Sequence, residues 1–233
     1  MYMDTDFRRQ EGDGMQYAVC LFMGYLAGVL NPAYILARLH GFDIRSRGSH
    51  NAGASNALLL FGKLKGGVCA AFDILKAFLI VKLACRLFPA QPMIFAVTAA
   101  ACILGHIFPF YMKFRGGKGL ACLGGVILAY DLRVFGIMLA CELVIALATN
   151  YICFVPMTAA VVFPVIYGIA ERDIFGAALL LAVAGVILWR HVENIRRIRR
   201  GQEMRLSYLW NKEKETARMR EHYPEEDWDH SEK

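Results

Sequence analysis

The sequence predicts an all-α integral membrane protein of about seven transmembrane helices, with its N-terminus outside and its C-terminus in the cytoplasm. The first observation is composition: 57% of the 233 residues are hydrophobic and 20% are charged, whereas a soluble domain averages about 45–50% apolar residues. The mean hydropathy is +0.40. The second observation is that apolar runs follow one another from Met15 to Trp189. The third is the placement of lysine and arginine in the gaps between those runs.

A helix needs about 20 apolar residues, with a range of roughly 17–25, to cross a membrane. Runs suited to this lie at 17–37, 66–87, 93–112, 134–148, 152–170 and 174–189. The run 119–130 is too short to span unaided, but the topology favours a seventh span there, with six spans as the alternative. The first run could also be an uncleaved signal sequence, but it lacks a small-residue cleavage site, which favours a span.

Positive charge predicts the orientation, because lysine and arginine accumulate in cytoplasmic loops. These residues are concentrated in the segments 38–65, 113–118 and 190–200. The alternating gaps, 88–92, 131–133 and 171–173, are poor in positive charge. Three polar segments that are far apart in sequence are therefore expected on the same, cytoplasmic face.

We divide the chain into an N-terminal extracytoplasmic segment (1–14), a membrane domain (15–203) and a charged cytoplasmic tail (204–233). Within the tail, residues 207–233 are predicted to form a short charged helix and then disorder, solvated and without a part in the site. The net charge of +6 is explained by the cytoplasmic loops, so no nucleic-acid partner is expected. The seven cysteines form no CxxC pair, which favours small buried residues over disulfides or a metal site.

The first polar segment, 43–56, is rich in glycine, serine and asparagine. Ser49, Asn51, Ser55 and Asn56 can donate hydrogen bonds, and glycine lets the backbone approach an anion closely. If Ser55 or Asn56 caps a helix, the free N–H groups and the helix dipole favour an anion there. An ordinary polar loop with a helix cap is an equally good interpretation of this segment alone.

In the second polar segment, 105–119, Arg115 and Lys118 flank two consecutive glycines. Backbone donors between two cations suit a phosphate group. The segment is not a Walker A loop, because Met112 stands where that motif needs glycine and Gly119 where it needs serine or threonine.

The third polar segment, 190–203, places His191 and Asn194 on one face of a helix. Its arginines are typical of a helix end that binds anionic lipid headgroups. That interpretation does not require His191 or Asn194, which remain candidates for chemistry.

Ionisable groups inside the predicted spans are costly. Asp73 and Lys76 have the i, i+3 spacing of a helical pair, so we expect them to be functional or to neutralise each other. His106 is expected to be a polar group that packs between helices rather than a catalyst. Glu142 has no obvious partner in the sequence.

Three stretches resemble the three motifs of the bacterial acyl-phosphate:glycerol-3-phosphate acyltransferases, the PlsY type. They are Gly-Ser-His-Asn-Ala-Gly-Ala-Ser-Asn (48–56), Gly-His-Ile-Phe-Pro with Lys-Phe-Arg-Gly-Gly-Lys-Gly (105–119), and His-Val-Glu-Asn-Ile-Arg-Arg with Gly-Gln-Glu (191–203). The resemblance runs from about Gly24 to Glu203, with the motifs in family order. The middle motif is long and unusual, which makes it specific.

The resemblance implies seven helices in the bacterial inner membrane and an active site that faces the cytoplasm. It implies transfer of a fatty acyl group from acyl-phosphate to the 1-hydroxyl of glycerol-3-phosphate, giving lysophosphatidic acid and phosphate for phospholipid synthesis. Neither acyl-CoA nor acyl carrier protein is the direct donor, and no cofactor or metal is expected. The expected partners are the two substrates and the lipid bilayer, and the chain is expected to be a monomer or a weak oligomer.

The resemblance also suggests residue roles. Catalytic roles are expected for Ser49, Lys118, His191 and Asn194. Substrate binding is expected of Arg45, Asn51, Gly53, Ser55, Asn56, Arg115, Gly116, Gly117 and Gly119. Structural or supporting roles are expected for Asp73, Lys76, His106, Glu193 and Glu203. Because acyl-phosphate is already activated, the glycerol hydroxyl can attack it directly, while His191 either takes the proton or orients a substrate phosphate that acts as the base.

Some residues depart from the family pattern. His50 stands where glycine or lysine is usual, Ser55 replaces threonine and Ala77 replaces a glycine. A related acyltransferase with an altered substrate is therefore an alternative. His222 and Asp227 have the H-x-x-x-x-D spacing of a different glycerophosphate acyltransferase superfamily, which we interpret as a chance match in the charged tail.

Two other functions agree with part of the sequence. A membrane anion or phosphate transporter would also have polar, glycine-interrupted helices, but its sites belong near the midplane and no inverted repeat is visible. A transferase using a nucleotide-linked substrate is disfavoured by the missing acidic metal-binding motif.

Overall fold

The computed structural model describes the backbone of residues 3–221 and the side chains of 14–218 and of Glu221. Within these residues the chain is helical and has no strand, which confirms the predicted all-α class. The α-helices of this part of the chain are Met3–Val29 (α1), Pro32–Leu39 (α2), Ala54–Leu87 (α3), Ile94–Ile107 (α4), Leu120–Tyr130 (α5), Leu132–Thr149 (α6), Phe154–Glu171 (α7), Ile174–Arg199 (α8) and Lys212–Arg220 (α9). Short 3-10 turns lie at Ile44–Ser46, Phe110–Met112 and Leu206–Leu209. The predicted disordered end of the tail, with His222 and Asp227, lies outside the described residues.

Among the described residues, five helical segments are long and apolar enough to cross a membrane: Gly14–Leu39, Ile94–Met112, Leu132–Thr149, Phe154–Glu171 and Ile174–Arg199. The best apolar window of the second segment is 67% buried within the protein, whereas that of the third is 17% buried. Helix α4 is therefore the centre of the bundle and α6 lies at its edge. The remaining two predicted spans correspond to α3, which carries charged residues, and to α5, which has only 11 residues.

The first predicted span, 17–37, is broken near its end. Helix α1 stops at Val29 and α2 begins at Pro32, because proline has no N–H to donate and favours the first turn of a helix. The Asn31 side chain caps α2 by accepting from the Tyr34 N–H at 2.8 Å, and it donates to the Ala52 carbonyl at 2.8 Å. The break thereby attaches the end of the first span to the loop that carries the first motif.

Small residues allow α1 and α4 to pack closely. A Cβ at Gly28 would lie 2.2 Å from the Cys102 carbonyl oxygen, and one at Gly105 would lie 2.4 Å from the Tyr25 carbonyl oxygen. Such contacts between backbones require glycine, as in other membrane helix pairs. Helix α5 approaches α3 in the same way, since a Cβ at Gly125 would lie 2.1 Å from the Ile74 carbonyl oxygen.

Helix α3 contains a sharp kink at Gly62, which has φ +86° and ψ 174°. This left-handed φ is rare for residues other than glycine. The short arm before the kink, 54–61, folds back onto the long part of the helix, where a Cβ at Gly66 would lie 2.5 Å from Leu58 Cα. The arm therefore turns its N-terminus toward the interior of the bundle.

Candidate active site

A cavity of about 370 Å³ lies between the arm of α3 and helices α5, α7 and α8. It is closed on one side by residues that follow α8. Eleven of the residues predicted from the sequence to belong to the site line it: Ser49, Asn51, Gly53, Ser55, Asp73, His106, Lys118, Gly119, His191, Asn194 and Glu203. All three polar segments therefore contribute to one site.

Two helix N-termini face this cavity. Helix α3 begins after Gly53, and α5 begins after Gly119, which has φ +93°. Neither helix has a side-chain cap at this end, so their first N–H groups and positive dipole ends can bind anions. Ser55 and Asn56 were considered as possible caps of α3, but the helix begins at Ala54 and both residues lie inside it.

Asn56 instead braces the loop before α3. Its side chain is fully buried, accepts from the Ser49 N–H at 2.9 Å, and donates to the carbonyls of Ile44 and Arg47 at 2.9 and 3.0 Å. These bonds fix the position of Ser49 at the rim of the cavity. Asn56 supports the site but does not line it.

Lys118, Asn194 and Glu203 form a hydrogen-bonded chain across the cavity. The Lys118 ammonium donates to Asn194 Oδ1, and Asn194 Nδ2 donates to Glu203 Oε1 at 2.7 Å. Burial lowers the pKa of Lys118 to about 8, with a further contribution from Arg197 and partial opposition from Glu203. Burial also raises the pKa of Glu203, against the opposing hydrogen bond from Asn194.

His191 lies on the same face of α8, one turn before Asn194. Its Nδ1 is 2.8 Å from the Ile187 carbonyl oxygen. Since a carbonyl can only accept, Nδ1 must carry the proton in this bond. The other ring nitrogen, Nε2, is then the one that can accept a hydrogen bond or a proton from a molecule in the cavity.

Asp73, Lys76 and His106 form a buried cluster next to the cavity, and Asp73 and His106 also line it. Lys76 Nζ lies 2.6 Å from Asp73 Oδ1 and 3.2 Å from His106 Nδ1, and His106 Nδ1 lies 3.4 Å from Asp73 Oδ1. Lys76 also donates to the carbonyls of Gly28 and Leu30 at 2.9 and 2.5 Å. The pair thus neutralises itself, which is one of the two alternatives that the i, i+3 spacing left open, and Lys76 satisfies carbonyls at the broken end of α1.

Asp73, His106 and Cys122 offer three metal-ligating atoms within 4.8 Å of one another. The Lys76 ammonium lies beside two of these residues and already supplies a positive charge to the cluster. We therefore interpret the cluster as an ion-pair network that joins α1, α3 and α4.

Gly116 and Gly117 do not line the cavity. Their N–H groups donate to the carbonyls of Ile107 and His106 at 2.9 and 3.1 Å, and a Cβ at Gly117 would lie 2.0 Å from His106 Nε2. Close packing against the end of α4 therefore requires these glycines. Of the residues predicted to form a phosphate-binding loop, only Lys118 and Gly119 line the cavity.

Arg45, Arg115 and Glu193 also lie away from the cavity. Arg45 pairs with Asp43 at 2.6 Å and donates to the Met112 carbonyl at 2.5 Å, so it joins the first two polar segments. The hydrogen bond from Arg45 lowers the pKa of the Asp43 carboxyl, partly offset by burial. Arg115 is exposed. Glu193 is half-exposed and forms ion pairs with Arg196 and Arg197 at 3.5 and 3.7 Å.

Three polar residues that line the cavity were not predicted from the sequence: Lys63, Arg197 and Gln202. Arg197 was grouped with the lipid-binding arginines, although it follows Asn194 by three residues and so shares its helix face. Lys63 donates to the Leu209 carbonyl, a contact with the C-terminal segment that no local pattern indicates.

Comparison with known proteins places this chain in a family. A family model described as glycerol-3-phosphate acyltransferase matches residues 18–201. The glycerol-3-phosphate acyltransferase of Photorhabdus laumondii is 34% identical over 203 residues, which cover 86% of this chain and 90% of that protein. The one from Geobacter sulfurreducens is 36% identical over 184 residues, covering 78% of this chain and 94% of that protein.

A solved structure has the same fold. The crystal structure of PlsY, an integral membrane glycerol 3-phosphate acyltransferase, in its glycerol 3-phosphate form superposes with a TM-score of 0.75 at 30% identity. The match covers 83% of this chain and 96% of that chain. The lysophosphatidic acid form of the same protein superposes with a TM-score of 0.71 at 29% identity, covering 81% and 94%.

Proposed function

Since the chain belongs to the glycerol-3-phosphate acyltransferase family, we propose that its cavity transfers a fatty acyl group from acyl-phosphate to the 1-hydroxyl of sn-glycerol-3-phosphate. That the chain is a glycerol-3-phosphate acyltransferase follows from the family match and from its relatives. The same findings argue against the anion transporter. The acyl donor and the roles of individual residues are the parts that we propose.

One observation carries the choice of donor: two helix N-termini without side-chain caps, those of α3 and α5, open into the same cavity beside Lys118. Each is suited to one phosphate group. A reaction between glycerol-3-phosphate and acyl-phosphate needs two such places. We assign the α5 end, with Lys118 and Arg197, to glycerol-3-phosphate, and the α3 end, with Ser49 and Asn51, to the donor.

The reaction needs no nucleophile from the protein. The glycerol hydroxyl oxygen attacks the acyl carbonyl carbon, the bond from that carbon to the phosphate oxygen breaks, and the hydroxyl proton ends on the released phosphate. His191 Nε2 accepts a hydrogen bond from the hydroxyl and so orients it. The rate enhancement comes from proximity of the two substrates and from neutralisation of two anions by fixed donors. Apolar residues such as Leu58, Ile152 and Pro156 in the same cavity suit the first part of the acyl chain.

The site faces the cytoplasm of a bacterium in this proposal. Seven crossings, formed by α1 with α2 and by α3 to α8, place the N-terminus outside and the three basic segments inside, in agreement with the placement of lysine and arginine. The active unit in this proposal is a monomer, or at most a weakly associated oligomer.

The donor can be tested with purified protein in lipid vesicles. Palmitoyl-phosphate and glycerol-3-phosphate should give equal amounts of lysophosphatidic acid and phosphate, while palmitoyl-CoA should give neither. Product from palmitoyl-CoA at a comparable rate would contradict the proposed donor without affecting the family assignment.

A further inference from the structure

The family model ends at residue 201, but the folded chain continues past it along the cavity. Met204 and Leu209 line the cavity. The Leu206 N–H donates to the Asn150 carbonyl and the Ser207 N–H to Asn150 Oδ1, at 2.8 and 2.9 Å. The tail was predicted to be solvated and separate from the site. In the structure its first part is docked and forms one wall of the cavity.

Helix α9 holds this wall from behind. Arg218 donates to the backbone carbonyls of Gly201 and Glu203, the latter at 2.8 Å, and to Glu215 Oε2 at 2.9 Å. Glu215 is 4% exposed and accepts from the Ser207 hydroxyl at 3.1 Å. Because Arg218 binds carbonyls on both sides of Gln202, it fixes the course of the chain that presents Glu203.

The next contacts lead into the cavity. The Glu203 carboxylate accepts from Asn194 Nδ2, and Asn194 Oδ1 accepts from Lys118. Glu203 fixes which way the Asn194 amide points, because an amide that donates through Nδ2 must offer Oδ1 on its other side. The orientation of the Lys118 ammonium therefore depends on Glu203, and the place of Glu203 depends on Arg218.

We propose that Arg218 is a positioning residue for the acyl transfer, and that it acts through Glu203 and Asn194 on Lys118. Arg218 does not line the cavity, so its effect on the reaction must pass through other residues. The inference rests on the proposed function, since it uses Lys118 as the cation that binds glycerol-3-phosphate.

The test is a double-mutant cycle on the full chain in lipid vesicles, with palmitoyl-phosphate as donor. Arg218→Ala should lower kcat/KM for glycerol-3-phosphate by about tenfold, a size typical of coupled contacts. Arg218→Lys should restore part of the loss. In a Glu203→Gln background the same Arg218→Ala change should cost less than about twofold, because the group through which it acts is already altered.

Lys214→Ala is the matched control, since Lys214 is an exposed cation on the same helix. It should leave kcat/KM unchanged, and the melting temperature of each variant reports whether it is folded. An Arg218→Ala enzyme as active as Lys214→Ala, or an equal loss in both backgrounds, would overturn the inference. A wild-type protein that produces no lysophosphatidic acid from palmitoyl-phosphate would instead contradict the proposed function.

Discussion

The Lys118 ammonium donates a hydrogen bond to Asn194 Oδ1, although the two residues are 76 positions apart in the sequence. This bond joins the second polar segment to the third, directly beside the N-terminus of α5. Lys118 is the only lysine or arginine of the second segment, all of which the structure describes, that lines the cavity. The bond holds its ammonium where a phosphate can bind. Much of the proposed chemistry depends on this contact.

The first prediction concerns pH. Burial lowers the pKa of Lys118 to about 8, so its charge is present below that pH and is lost as the pH rises through it. From pH 7 to pH 9 the charged fraction falls about tenfold. We therefore expect kcat/KM for glycerol-3-phosphate to fall about tenfold over this range, because that quantity reports groups of the free enzyme.

Lys118→Arg keeps the charge and should remove this alkaline fall, whereas the control Lys113→Arg, at an exposed lysine of the same loop, should retain it. Steady-state rates from pH 6 to pH 10 measure both. An identical alkaline limb in wild type and Lys118→Arg would show that another group titrates.

The second prediction tests whether His191 orients the attacking hydroxyl, as proposed here, or acts as a general base. If Nε2 orients the attacking hydroxyl by accepting a hydrogen bond, a glutamine oxygen can partly replace it and alanine cannot. We expect His191→Ala to lower kcat by about 100-fold, as loss of substrate positioning can, and His191→Gln to retain at least about tenfold more activity than His191→Ala. Equal losses in the two variants would favour a role as general base instead.

The third prediction concerns stability. Lys76→Met leaves the Asp73 carboxylate buried without its cation and should destabilise the protein by about 3–5 kcal/mol. The double variant Asp73→Asn/Lys76→Met removes both charges and should recover at least half of that loss. Thermal unfolding in detergent measures each value. The single variant Asp73→Asn is measured alongside. A double variant as unstable as the sum of Lys76→Met and Asp73→Asn alone would contradict the ion-pair interpretation.

The fourth prediction concerns the glycines of the second segment. Gly117→Ala would place a Cβ 2.0 Å from His106 Nε2 and should destabilise the protein by about 1–3 kcal/mol, as overpacking does. Gly185→Ala is the control, since a Cβ there meets no atom within 4 Å. If Gly117 cradled a phosphate instead, Gly117→Ala would raise KM for glycerol-3-phosphate and leave the melting temperature unchanged.

The sequence predicted the helical class, the polar segments and most of the polar residues that line the cavity, because these depend on local features. Apolar length identifies helices, and a histidine and an asparagine three residues apart share a helix face. His191 and Asn194 line the cavity because they share a helix face, and Ser49 and Lys118 line it from the two glycine-containing segments.

Other features depend on packing that no local pattern shows. A glycine can be required either by a bound anion or by a closely packed neighbour, and the sequence does not distinguish the two. Gly116 and Gly117 were predicted to bind a phosphate, whereas in the structure they pack against His106. The kink at Gly62, which brings Leu58 against Gly66, depends on a left-handed φ that no local pattern in the sequence indicated. The tail composition indicated solvent exposure, whereas Glu215 and Arg218 dock through specific hydrogen bonds.

The claim that three distant segments form one cytoplasmic site can be tested most directly by cysteine labelling. Single cysteines at Ala54, Leu120 and Gln202, one from each part of the cavity wall, would be placed in a Cys141→Ala background, because Cys141 is an exposed cysteine. The measurement is the rate of reaction with a membrane-impermeant maleimide in right-side-out and inverted vesicles.

All three cysteines should react only in inverted vesicles, and glycerol-3-phosphate should slow each reaction. A cysteine that reacts from the outer side, or one that glycerol-3-phosphate does not protect, would contradict the convergence of the three segments on a single cytoplasmic site.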